Sequence, residues 1–276
     1  MIRSMYSGIS GMKNFQTKLD VIGNNIANVN TYGFKKGRVA FKDMVNQTIS
    51  GASGPAQGKG GINPQQVGLG AQIAAIDTID TQGSLQPTGR VLDLAIQGDG
   101  YFMVQEGTDT FYTRAGNLYL NNNGNLVTAS GHFVLDNQSQ RIQIPDIKNI
   151  KSLGISEDGK ISFIKSDTPS VPGFTKDGDL FTSVSSIGIA RFNNPGGLEK
   201  VGENLYVGSA NSGLATPMIP NNGGAGTIVS GALEMSNVDL SEEFTEMIVA
   251  QRGFQANTRI ITTSDEILQE LINLKR

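Results

Sequence analysis

The chain predicts a mixed fold: a discontinuous α-helical layer made from its N- and C-terminal ends, as two long helices, plus a mainly antiparallel, all-β central domain. Three observations predict it. Apolar residues recur at every seventh position near both ends and nowhere between. The middle holds most of the 35 glycines of this 276-residue chain and breaks into short apolar runs closed by turn residues. Charge also divides by end: residues 1–45 carry seven basic residues against Asp20 and Asp43, and residues 234–276 carry eight acidic against four basic.

Residues 1–33 read as the N-terminal helix of an inner domain. Met5, Met12, Leu19 and Ile26 form one row, flanked by Ile9, Phe15, Ile22 and Val29, so a helix is expected over about 4 to 29. Asn30, Thr31 and Tyr32 are poor helix formers, and Gly33 suits a left-handed cap. Residues 34–73 read as an extended arm followed by a Gly, Ser, Pro and Gln-rich loop, too long for an ordinary connection.

Residues 74–235 read as the β domain. Val91, Leu92, Leu94 and Ile96 open a strand, and YFMVQ follows it. Asn123-Gly124 and Asp158-Gly159 mark two hairpins, and 166–182 reads as a polar excursion. Residues 236–276 read as the C-terminal helix of the inner domain, capped by Asp239 or Ser241, with Glu242, Glu243 and Glu246 near its positive end and Lys275 and Arg276 at the other. Leu240, Met247, Phe254, Ile261 and Leu268 form its first row, Phe244 lies beside them, and Ile260, Ile267 and Leu274 form a second. At roughly 50 Å this helix is longer than a domain of this size encloses. The small β domain is too limited to cover both stripes, which are therefore expected to stay uncovered until the chain assembles. Opposite charge on the two ends sets register between them.

Chemistry finds little support. There is no cysteine, so no disulfide and no thiolate, and no stretch resembles a secretory signal or a membrane span. His132 is the only histidine and reads as an ordinary sheet residue. Asp93, Asp99, Asp177 and Asp179 stand where turns are made. GPAQGKGG has the wrong spacing for a phosphate loop, and GLGAQI lacks the third glycine of the dinucleotide motif. No enzyme activity, cofactor, metal, nucleic acid or small-molecule substrate is expected, and the net charge of −3 agrees.

The informative stretch is LDVIGNNIANVNTYGFKK. Asn24, Asn25, Asn28 and Asn30 are costly in a helix, and asparagine in an assembly seam fixes register. With SGISGM at the start, SNVDLSEEFTEMIVAQRGFQANTRIITTSDEILQELINLKR at the end, and TGRVLDLAIQGDGYFMV between, the sequence resembles the axial rod and hook family of the bacterial flagellum. The matching motif residues are Asn24, Asn25, Asn28, Asn30, Gly33 and Phe34.

YGFKKGRVAFKDM and VGLGAQI look hook-like, most like the hook protein of Gram-positive bacteria, whereas residues 47–66 lie where distal rod proteins carry an insert. The resemblance therefore implies a structural subunit of the flexible, torque-transmitting hook tube; the alternative is the rigid distal rod of the basal body. A remoter alternative is a secreted β-rich enzyme or adhesin. The resemblance further implies self-assembly through the terminal stripes, contact with rod, hook cap and hook–filament junction proteins, and passage through the flagellar type III export apparatus without a cleavable signal. Its implied location is extracellular, in the flagellar hook or basal body. Torque would fall to the helical layer, and bending to the loop and outer contacts.

Overall fold

A computed structural model describes residues 2–54, 60–144, 150–165, 174–177 and 180–274. These gather into two compact units. One comprises the helix α1 (Ile2–Ala27), residues 37–78 and the helix α2 (Leu240–Leu274); the other comprises residues 28–36 and 79–238.

In the helical unit, α1 and α2 lie antiparallel, because their contacts pair residues in opposite order. Asn25 bonds to Glu243, Lys18 to Glu246, Gly11 faces Asn257 and Gly8 faces Ile261. Thus each stripe is partly covered by the other within one chain, contrary to the expectation that both wait for assembly. α2 opens as its sequence predicts: the Asp239 carboxylate accepts from Ser241 N at 2.8 Å and from Glu242 N at 3.4 Å. Lys275 and Arg276, expected to complement its other end, lie outside the described residues.

α1 ends at Ala27, before Val29. A turn follows, closed by Thr31 N donating to Asn28 O at 3.1 Å, so Gly33 does not directly cap the helix. The segment expected to be an arm and loop is largely strand. β1 (Gly37–Asp43) pairs with β4 (Ala71–Thr78), and beyond them β2 (Asn46–Ser50) pairs with β3 (Gln65–Gly68). A further bridge joins Ser53 and Ile62. The result is a long antiparallel hairpin, and every residue of β2 and β3 is exposed.

The β unit is antiparallel at every described strand pair. Its nine-stranded sheet centres on Tyr101–Glu106. Alternation along that strand sends Phe102 and Val104 into the main core, with Leu94, Leu126, Phe163 and Ile189, and sends Tyr101 and Met103 into a second cluster with Leu135, Phe192 and Tyr206. A strand buried on both faces explains the unbroken apolar run YFMV. Both expected hairpins form, with Gly124 at φ +83 and Gly159 at φ +73.

Within the expected polar excursion, Phe174–Asp177 and Leu180–Ser186 instead form a hairpin of the four-stranded sheet. Phe181 is buried there and stacks on Phe163 at 5.4 Å between ring centroids. The remainder, 166–173 and 178–179, lies outside the described residues.

Candidate functional site

The helical unit supplies the first candidate surface. On α1, Met5, Met12, Phe15, Leu19 and Ile26 are half-buried, Ile22 is buried and Ile9 is exposed, whereas Val29, also half-buried, lies past the end of the helix among the residues of the β unit. On α2, Met247, Phe254, Ile261 and Leu268 are half-buried, whereas Leu240 and Phe244 are exposed. The structure therefore brings the two seven-residue rows together and separates them from their neighbours. Ile260, Ile267 and Leu274, the second row, are 45%, 43% and 83% exposed, and Ile248, Val249, Leu271 and Ile272 join them.

Three glycines set the approach of the helices. A Cβ on Gly253 would stand 2.6 Å from the Phe15 ring, one on Gly11 2.8 Å from the Asn257 amide, and one on Gly8 3.3 Å from Ile261. At this register, α2 residues beyond about 266 pass the first residue of α1, leaving an apolar end that no described residue of α1 lies opposite.

Asn25 is 2% exposed and acts inside the subunit. Its Nδ2 donates to Gly37 O at 2.9 Å and to Glu243 Oε2 at 3.2 Å, and its Oδ1 accepts from Gly37 N at 2.9 Å. One amide thus fixes the register of α1 against both β1 and α2. Asn24 and Asn30 are exposed, and Asn28 Oδ1 accepts from the Thr31 hydroxyl at 3.1 Å.

Gly33 and Phe34 belong to the β unit. Gly33 has φ +68, and a Cβ there would stand 2.7 Å from Ala115 N. Phe34 is buried beneath the Lys200 ammonium, which lies 4.8 Å from its ring centroid.

Beside them lies a charge cluster that inspection of the sequence does not isolate. Glu234, 1% exposed, accepts from Arg114 Nε at 2.6 Å, Lys35 Nζ at 2.7 Å and Gly83 N at 3.0 Å. Arg114 also donates to the carbonyls of Gly100, Ile96 and Gly98, and Lys35 to Thr81 O. Burial alone would raise the Glu234 pKa, but Arg114, Lys35 and the bonds they donate together hold it below the usual carboxylate range. Burial lowers that of Lys35. The charge split between the ends gave the only signal for this pair, since Lys35 and Glu234 are 199 residues apart.

Of the residues considered for chemistry, Asp179 and residues 55–59 of the GPAQGKGG stretch lie outside the described residues. No set of three or more potential ligands among the described residues is placed to hold a metal ion. His132 lies 3.5 Å from Glu203 and 3.7 Å from Glu106 beside a hairpin turn. Asp93 accepts from Thr88 Oγ1 at 2.7 Å and pairs with Arg90, which is turn construction.

A family model described as "Flagella basal body rod protein" matches residues 5–35, "Flagellar hook protein FlgE/F/G D1 domain" matches 95–163, and "Flagellar basal body rod FlgEFG protein C-terminal" matches 229–274. The flagellar basal-body rod protein FlgG of Bacillus subtilis (strain 168) is 58% identical over 277 residues, covering 100% of both chains. The chain belongs to the flagellar rod and hook family.

Two further members frame it. The FlgG rod protein of Borreliella burgdorferi is 40% identical over 279 residues, and the FlgE hook protein of the same organism 32% identical over 441, each covering 100% of both chains. The family models fall on the surfaces just described: the first spans most of α1 and continues through Gly33 and Phe34, and the last takes in Glu234 and all of α2. The protein is an axial flagellar structural subunit, a component of the basal-body rod or hook. No described helix is long and apolar enough to cross a membrane.

Proposed function

We propose that this chain is the distal rod subunit of the flagellar basal body, polymerising with itself into a stiff tube. The observation that carries this reading is colinearity. The rod proteins align over 277 and 279 positions, essentially this chain's own length, whereas the hook protein requires 441. That favours the rod over the hook reading suggested by the YGFKKGRVAFKDM and VGLGAQI motifs.

Two surfaces support assembly. The α2 face bearing Ile260, Ile267, Leu271 and Leu274 is exposed and apolar, as a helix awaiting neighbours requires. The β2–β3 ribbon is exposed on both sides, with Val45, Ile49 and Ile62 each more than 60% accessible. An isolated two-stranded ribbon is marginal in water, so a neighbouring subunit covers it in the tube and the contact stiffens the wall. Met5, Met12, Phe15, Leu19, Ile22, Ile26, Met247, Phe254, Ile261 and Leu268 then serve the subunit's own helix pair, and Ile9, Leu240 and Phe244 the contacts between subunits. Export through the flagellar type III apparatus and contact with the adjoining rod and hook proteins complete this reading.

Labelling the protein on isolated hook and basal-body structures tests it. Signal confined to the rod supports the assignment; signal along the hook returns the chain to the hook.

A further inference from the structure

The chain enters or leaves the β unit at four points: before residue 28, after 36, before 79 and after 238. We propose that Asn237 and the Lys35–Glu234 pair form one latch that ties the three stretches carrying these points into a single joint.

Asn237 is placed to do so. Its Oδ1 accepts from Lys36 N at 2.8 Å, and its Nδ2 donates to Ile79 O at 2.8 Å, Thr81 O at 3.2 Å and Thr81 Oγ1 at 3.1 Å. One side chain on the last stretch therefore holds the other two. Backbone bonds close the same circuit: Ile79 N donates to Lys36 O at 2.9 Å, Gly33 N to Glu234 O at 2.9 Å and Met235 N to Ser84 O at 2.9 Å.

The ionic layer repeats the pattern one step inward. Lys35 comes from the first stretch and Glu234 from the last, while Gly83 N and Thr81 O, their further partners, come from the middle one. Lys200 adds a bond to Lys35 O at 2.8 Å. Arg114 anchors Glu234 to the sheet, and Asp80, 4.0 Å from Lys35, accepts from Tyr101 OH at 2.7 Å. Lys35, Arg114 and Glu234 are buried and the Asn237 amide is half-buried beside them, so removing one member of the shared network leaves its partners short of a bond and weakens the others. Strain on one of the three stretches is thereby shared by the other two within the β unit.

Amide hydrogen exchange on the full-length protein tests this. In Asn237→Ala the latch requires the Gly33, Lys36 and Ile79 amides to exchange faster together, by about tenfold, while Phe102 and Val104 in the core strand stay protected. Faster exchange at Lys36 alone, which merely lost its acceptor, overturns the proposal. If Asn237→Ala fails to fold, the near-isosteric Glu234→Gln gives the same reading: it changes the ionic layer and leaves the Asn237 side chain in place, so joint acceleration at Lys36 and Ile79 supports the latch. Unchanged exchange there sinks it.

Discussion

Gly33 shows how a single residue can be required by backbone alone. Its φ of +68 disfavours any side chain, and the Ala115 nitrogen, 2.7 Å from where a Cβ would stand, leaves no room for one. Gly33→Ala is expected to lower stability by about 2–4 kcal/mol, read from the urea unfolding midpoint. Glu234 gives a prediction in pH. Its carboxyl is held below the usual range, so its contribution is complete above the unfolded value near ~4.3 and is lost as pH falls through the folded one. Unfolding midpoints measured from pH 5 to 2 should fall, and Glu234→Gln should flatten that fall; an identical slope would rule out this carboxylate as its source. Asn25 and Gly33 were both visible in the sequence, as a costly helix residue and a left-handed glycine, although their actual partners were not. Asn237 was invisible, because nothing near it in the chain signals that its amide reaches residues 36, 79 and 81.

At the scale of elements, the helices were the most legible part. α2 announced itself through a cap at Asp239 and five apolar residues at intervals of seven, and it forms over 35 residues. The arm was not, because β2 and β3 are mainly polar, with Gln47, Gln65 and Gln66 among them, and pair through backbone bonds without burying an alternating face. The helix glycines separate two physical causes. Nothing lies within 4 Å of a Cβ on Gly23, so Gly23→Ala should stabilise the isolated subunit by about 1 kcal/mol. Gly253→Ala carries the same helical gain but must displace the Phe15 ring, so its melting temperature should fall rather than rise. Deleting residues 51–61 from the arm should leave subunit folding intact and make assembled rods less stiff in electron micrographs. Rods of unchanged stiffness would remove the arm from the wall contact.

For the whole molecule, the β unit's general form was legible from turn chemistry at Gly124 and Gly159. The depth of its core was less so: Phe181 sits in a polar sequence and becomes buried only through long-range pairing with the strand of Phe163. Assembly belongs to this scale as well. Ile260→Asp with Ile267→Asp places charge on half-exposed positions, Ile260 also lying beside Gly8, so the monomer should lose about 1–3 kcal/mol and stay folded by circular dichroism, while tube formation at high concentration, followed by negative-stain microscopy, should be lost. Tubes formed by this variant would show that the second row faces solvent in the polymer. The antiparallel register has a practical corollary. The start of α1 and the end of α2 lie at one end of the helix pair, so a tag fused to either terminus crowds the same apolar tip. A reporter meant to spare polymerisation is better carried in the exposed turn at Gly107 and Thr108, between two strands of the β unit.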